Sequence, residues 1–130
     1  MNSELIVANN PKSGIAEAIK TIRTNLLFSS IDNPVRSILM TSSSTGEGKS
    51  FISANLAVAF AQAGIKVLVV DCDLRRGRQH KIFNIDNEKG LSNLLLDDVE
   101  KNYKKYIKKT RYEIIYVLPM CIVPPNPSEL

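Results

Sequence analysis

Cysteine is scarce in this 130-residue chain, which holds only Cys72 and Cys121. With no short paired spacing they supply neither a zinc site nor a disulfide framework, and a reducing cytosol suits them best. His80 is the sole histidine. Without a companion ligand or nucleophile it reads as a loop hydrogen-bonder rather than a catalytic base. No run approaches the roughly 20 apolar residues that span a bilayer, and no N-terminal stretch has the basic, apolar and small-residue order of a signal peptide. Internal repeats and low-complexity tracts are also absent. These absences predict a cytoplasmic protein that reaches a membrane only through a partner. A net charge of +4 and 44% hydrophobic residues fit one globular domain. The basic excess suits phosphate ligands, but no nucleic-acid module accompanies it, so no nucleic-acid partner is expected.

What is present centres on Ser37 to Asp73. Ser43-Ser44-Thr45-Gly46-Glu47-Gly48-Lys49-Ser50 fits the phosphate-loop pattern G-x-x-x-x-G-K-[ST], with Ser43 at the first glycine position. Ser37 to Thr41 reads as a short buried strand feeding the loop. Ser50 to Ala63 reads as an alanine-rich helix stopped by Gly64. In such a frame the backbone from Ser44 to Phe51 forms an anion nest at the positive end of the helix dipole. Lys49 reaches the β- and γ-phosphates, and the Ser50 hydroxyl takes a Mg²⁺ coordination site. ATP and Mg²⁺ are therefore the expected cofactors.

A second strand, Lys66 to Val70, is β-branched and apolar, as in a sheet covered on both faces. It ends in Asp71-Cys72-Asp73, and alternation puts the carboxylates on one side with Cys72 facing away. Beside phosphate anions, carboxylates call for a cation, which makes Asp71 and Asp73 candidate Mg²⁺ ligands and acceptor-organising groups. Two aspartates that merely cap a turn remain the alternative. The basic run Arg75-Arg76-Gly77-Arg78 follows, holding nucleotide phosphate or an acidic substrate loop, or simply forming a solvated turn.

Residues 1 to 12 read as a loosely held arm, and 13 to 130 as the phosphate-loop domain. Ser13 caps a helix whose apolar face is Ile15, Ile19, Ile22 and Leu26; Glu17, Lys20 and Arg23 form a charged row on another face. That row is either solvated, with a weak ion pair, or an interface. Gly90 to Leu96 reads as a short helix and Lys101 to Arg111 as a short basic helix with a solvated face. Tyr112 to Leu118 reads as a third strand before a proline-rich loop. The fold class is α/β, a phosphate-loop NTPase-like parallel sheet with flanking helices, incomplete at its C-terminal end.

The combination of Gly48-Lys49-Ser50 with Asp71-x-Asp73-x-Arg75 one helix and one strand later resembles the Walker A and Walker A′ pair of the bacterial tyrosine kinases of capsular and exopolysaccharide assembly. Glu17-x-x-Lys20-x-x-Arg23 is similar to that family's E-x-x-R-x-x-R helix. Pro124-Pro125-Asn126-Pro127-Ser128-Glu129-Leu130 is similar to its P-P-N-P-S-E-L segment.

The resemblance implies transfer of the ATP γ-phosphoryl to tyrosine, with Lys49, Asp71 and Asp73 catalytic and Arg75 near the nucleotide. It also implies docking to the cytoplasmic tail of a membrane-embedded polysaccharide chain-length adaptor. Glu17, Lys20 and Arg23 become a ring interface, weakened to a loose homo-oligomer because Lys20 lacks arginine's bidentate fork. Glycine at 77, where the family often has proline, implies a looser loop. In the family a further strand supplies a Walker B aspartate and a tyrosine-rich tail accepts phosphate. The 130 residues hold neither, which implies a chain inactive as an autokinase by itself. Two other readings are a partitioning-type ATPase, disfavoured because Ser44 stands where those carry an extra lysine, and a non-catalytic nucleotide-binding module that engages the polysaccharide-assembly protein.

Overall fold

The computed structural model describes residues 4–29, 31–42, 48–73, 75–96 and 103–120. In chain order these form α1 (Ile6–Asn9), α2 (Gly14–Ser29), α3 (Lys49–Gln62), β1 (Val67–Val70), α4 (Gln79–Ile82), α5 (Leu91–Leu96), a 3-10 turn (Tyr103–Tyr106), β2 (Lys108–Lys109) and β3 (Ile115–Leu118). The sheet runs β1-β3-β2. β1 and β3 are parallel, with Val67 opposite Ile115 and Val70 opposite Leu118, and β2 is antiparallel to β3. A crossover through α4 and α5 joins the parallel pair, as a parallel connection requires.

The core is built around α3. Six consecutive residues, Ala54 to Ala59, are buried, so the helix is covered on every side. The sheet packs against one flank, α1 and α2 against the others, and the alanines let these neighbours approach closely. The helix ends as its glycine predicts. Gly64 sits at φ 83°, its N–H donates to Ala61 O (2.9 Å) and the Ile65 N–H donates to Phe60 O (3.1 Å), a Schellman closure. Ser13 caps α2 as expected, its hydroxyl accepting the Ala16 N–H at 3.1 Å.

Several expectations are corrected. The segment 37–41 is extended but joins no strand among the described residues, and Leu39 is 85% exposed. Its apolar sequence is that of a sheet strand, yet the sheet of the described residues holds β1, β3 and β2 without it. Leu68 and Val70 are likewise exposed, so β1 is covered on one face rather than two. The inward stripe of α2 is the buried Ala16 and Ile19 with the half-buried Arg23 and Leu26, rotated from the one read off the sequence. Ile15 and Ile22 face outward. The basic stretch after 101 forms the 3-10 turn and β2 instead of a helix, with Tyr106 buried.

The N-terminal arm is the largest correction. Leu5 and Val7 are buried in the core, and the fully buried Asn55 of α3 holds them there. Its Oδ1 accepts the Val7 N–H at 3.0 Å, while its Nδ2 donates to Glu4 O at 2.7 Å and to Phe51 O at 2.9 Å. One amide thereby satisfies a donor and two acceptors in a place without water. Replacing Asn55→Leu keeps the branched outline of the side chain but orphans the Val7 N–H, at a cost of about 1–3 kcal/mol. Urea unfolding should show the lower midpoint, and limited proteolysis should release the arm first; an unchanged midpoint would mean the arm is held by apolar packing alone.

Candidate functional site

The site begins where α3 begins. Gly48 lies at φ 80°, a left-handed conformation natural only to glycine, and turns the chain into Lys49. The first bond of this helix runs from the Ile52 N–H to Gly48 O at 2.9 Å, so the N–H groups of Lys49, Ser50 and Phe51 have no intrahelical acceptor. They are the donors that an anion at this helix end would take. Phe51's ring is turned to the core, so the backbone is what it offers. Ser44, Thr45, Gly46 and Glu47 lie outside the described residues.

The carboxyl end of β1 supplies the second half. Asp71 is buried, Cys72 exposed and Asp73 half-buried, in the expected alternation. Asp71 is heavily committed. Its Oδ1 accepts the Asp73 N–H at 3.1 Å, and its Oδ2 accepts the N–H groups of Arg78 (2.9 Å) and Gln79 (3.0 Å). Asp73 uses Oδ1 alone, for the N–H groups of Arg75 (3.1 Å) and Arg76 (2.8 Å). Both aspartates therefore shape the loop, and Asp73 keeps the freer oxygen. Although the residue is exposed, partial desolvation of its thiol and then the Asp71 carboxylate push Cys72 above its ordinary range, while the Lys49 ammonium pulls the other way.

Gln79 joins the halves, and no sequence signal marks it. It is 4% exposed on the one-turn helix α4; its N–H binds Asp71 and its Nε2 donates to Ser50 O at 3.1 Å. Its Oε1 is buried without a hydrogen-bond partner among the described residues. A lone glutamine in a four-residue helix has no periodicity to betray it. His80 Nδ1 is buried and has no hydrogen-bond partner among the described residues. Burial and then Lys81 hold the imidazole below its usual pKa, keeping it neutral.

The charged row of α2 is partly turned inward. Arg23 Nη1 donates to Ala59 O at 2.8 Å, bracing the end of α3, and Lys20 Nζ donates to Pro11 O at 2.9 Å while lying 3.6 Å from Glu17. The Glu17 side chain is 63% exposed. The loop at Gly77 is not loose. A Cβ there would stand 2.4 Å from Met120 Cβ and 3.1 Å from Asp71 Oδ2, and the N–H groups on both sides of it are bound to aspartates.

Residues 38–119 match the CobQ/CobB/MinD/ParA nucleotide-binding domain model. The chain belongs to that family. It is 47% identical over 128 residues to CapB of Staphylococcus aureus, covering 98% of this chain and 55% of CapB. It is 41% identical over 130 residues to the tyrosine-protein kinase YwqD of Bacillus subtilis strain 168, covering 100% of this chain and 54% of YwqD. The solved kinase domain of the Escherichia coli tyrosine kinase ETK superposes with a TM-score of 0.88 at 35% identity, over 98% of this chain and 49% of that domain. The chain thus spans about half the length of the curated relatives it matches.

As a nucleotide-binding domain, the chain offers anion donors at α3 and carboxylates at β1 tied by Gln79. Among the described residues no cluster of three His, Cys, Asp or Glu forms a metal cage. A cation held mostly by phosphate and water needs none, and the buried Gln79 Oε1 is an acceptor still seeking a donor such as coordinated water. Gln79→Met should leave unfolding within about 1 kcal/mol of the parent, because one lost hydrogen bond is offset by removal of an orphaned acceptor. Its nucleotide affinity should fall roughly fivefold as Ser50 loses its anchor, read by calorimetric titration; unchanged affinity would make Gln79 purely structural.

Proposed function

We propose that the chain supplies the ATP-binding half of a protein-tyrosine autokinase that controls capsular or exopolysaccharide assembly. The observation that carries this reading is the meeting of the Lys49 helix end and the Asp71–Asp73 strand end through Gln79, in a family whose members include named tyrosine kinases. Lys49 and the N–H groups of residues 49–51 receive the β- and γ-phosphates. The Ser50 hydroxyl and Asp73 Oδ2 hold Mg²⁺, which when bound neutralises phosphate charge during transfer. Asp71 already accepts three N–H donors, so it fixes the loop and keeps negative charge beside the acceptor hydroxyl, and Arg75 follows in the same loop with its N–H bound to Asp73.

The partner of this reading is the cytoplasmic tail of a membrane-embedded chain-length adaptor, placing the protein at the inner face of the plasma membrane. Self-association uses Glu17 flanked by the outward Ile15 and Ile22 rather than the whole charged row, since Lys20 and Arg23 are bound within their own subunit. A second reading, a nucleotide-sensing module without catalysis, is favoured by one observation: the segment feeding the phosphate loop pairs with no strand among the described residues, leaving Val35, Ile38 and Leu39 exposed.

The chain should bind Mg-ADP in a calorimeter, and Lys49→Met should weaken binding by about 1.5–3 kcal/mol through loss of a charge-assisted contact. The same sample given Mg-ATP should gain no phosphotyrosine by mass spectrometry on Tyr106, Tyr112 or Tyr116, because Tyr106 is buried, Tyr112 is packed on Phe83 and Tyr116 lies under Lys66; Tyr103, 47% exposed, is the tyrosine on which any transfer would show first. Equal binding by wild type and Lys49→Met would sink the nucleotide assignment, and Lys49-dependent phosphotyrosine on the chain would show that it is catalytically complete. Separately, Glu17→Arg should lower the apparent mass in light scattering at low salt; a mass unaffected by the substitution would mean that α2 is solvated.

A further inference from the structure

After Asp73 the chain folds back and encloses a cavity of about 590 Å³. Arg75, Arg76, Arg78 and Lys81 line it with His80, Met120 contributes an apolar patch, and no carboxylate among the described residues lines it. That volume is within the range of ligand sites, and a concavity of one charge sign concentrates counter-charge. The charges are unequally spent. Arg78 pairs with Glu4 at 2.7 Å, whereas the guanidinium groups of Arg75 and Arg76 have no ion-pair partner among the described residues. Asp73 binds their backbone N–H groups instead.

The wall is built in advance. Asp71 and Asp73 together fix the N–H groups of Arg75, Arg76, Arg78 and Gln79, and Gly77 fits flush against Met120 with no room for a side chain. Loop ordering therefore costs little on binding. The buried Nδ1 of His80, a lining residue, lacks a partner among the described residues. A peptide main chain carries both donors and acceptors, so it can satisfy that nitrogen in either tautomer, which a bare phosphate group does less readily.

We propose that this cavity docks an acidic polypeptide segment flanking the acceptor tyrosine. The tyrosine part of the statement rests on the kinase reading; the acidic segment rests on the cavity alone. A nucleotide has its own donors at the start of α3, so it does not need these arginines. A bilayer surface is excluded by shape, because a concavity of this size admits side chains and not a plane of headgroups.

The test is fluorescence anisotropy with the full 130-residue chain and two labelled peptides, one with glutamates on both sides of a tyrosine and one with lysines there. The acidic peptide should bind and the lysine peptide should not, with affinity falling as salt rises. Arg76→Glu should weaken the acidic peptide about tenfold and Arg76→Gln by less, circular dichroism confirming that both variants remain folded. Saturating Mg-ADP should leave peptide affinity unchanged. Equal binding of the two peptides, insensitivity to Arg76→Glu, displacement by Mg-ADP, or capture by phosphatidylserine vesicles in place of the peptide would each overturn the proposal. Peptide binding without Mg-ADP binding would uphold the cavity and remove the kinase reading, and the opposite pattern would do the reverse.

Discussion

Everything in this structure leans on α3 being buried all round. A helix covered on every side cannot leave a polar group unanswered, and its one buried polar side chain, Asn55, answers three backbone groups at once. The consequence reaches both ends. Toward its C-terminus α3 is braced by Arg23 and closed by Gly64; toward its N-terminus the only groups left unbonded within the helix are the N–H donors of Lys49, Ser50 and Phe51. A rigid helix with its single unsatisfied end facing the acidic strand end is what makes that edge suitable for an anion and its cation.

The second constraint is the loop after β1. Two carboxylates accept five backbone N–H groups between them, so the loop has almost no freedom left. This changes what Asp71 and Asp73 are. Turn-capping is what both do here: Asp71 accepts three N–H groups over its two oxygens, and Asp73 accepts two through Oδ1. Arg78 then links the loop to Glu4, and Glu4 to Asn55, so the arm, the central helix and the acidic loop form one connected network.

The local features were legible in the sequence wherever one residue type answers one backbone demand. Gly48 and Gly64 at positive φ, Ser13 as a cap and the alternation of Asp71, Cys72 and Asp73 all follow from single-residue chemistry. What depended on tertiary partners was not legible. Leu5 and Val7 look like a short apolar patch in a polar arm until Asn55, 48 residues from Val7, supplies the bond that seats them. Arg23 looks like a surface charge until Ala59 O is brought under it. Gln79 has no sequence signature because its two partners, Ser50 and Asp71, lie on separate elements that only the fold brings together.

The strand expected at 37–41 shows the limit most clearly. Its sequence is as apolar as that of β1, and intrinsic preference favours extension in both, yet β1 gains hydrogen bonds from β3 while 37–41 gains none among the described residues. Extension is a property of residues, but a strand is a property of pairs. The outward Val35, Ile38 and Leu39, together with Leu68 and Val70 on the bare face of β1, form apolar surface that two covering elements would be needed to bury. Because 37–41 leads directly into the phosphate loop, whatever pairs with it also sets how firmly Lys49 and Ser50 are aligned against Asp73. Cover for this surface and alignment of the anion-binding helix end against the acidic strand end are therefore one requirement.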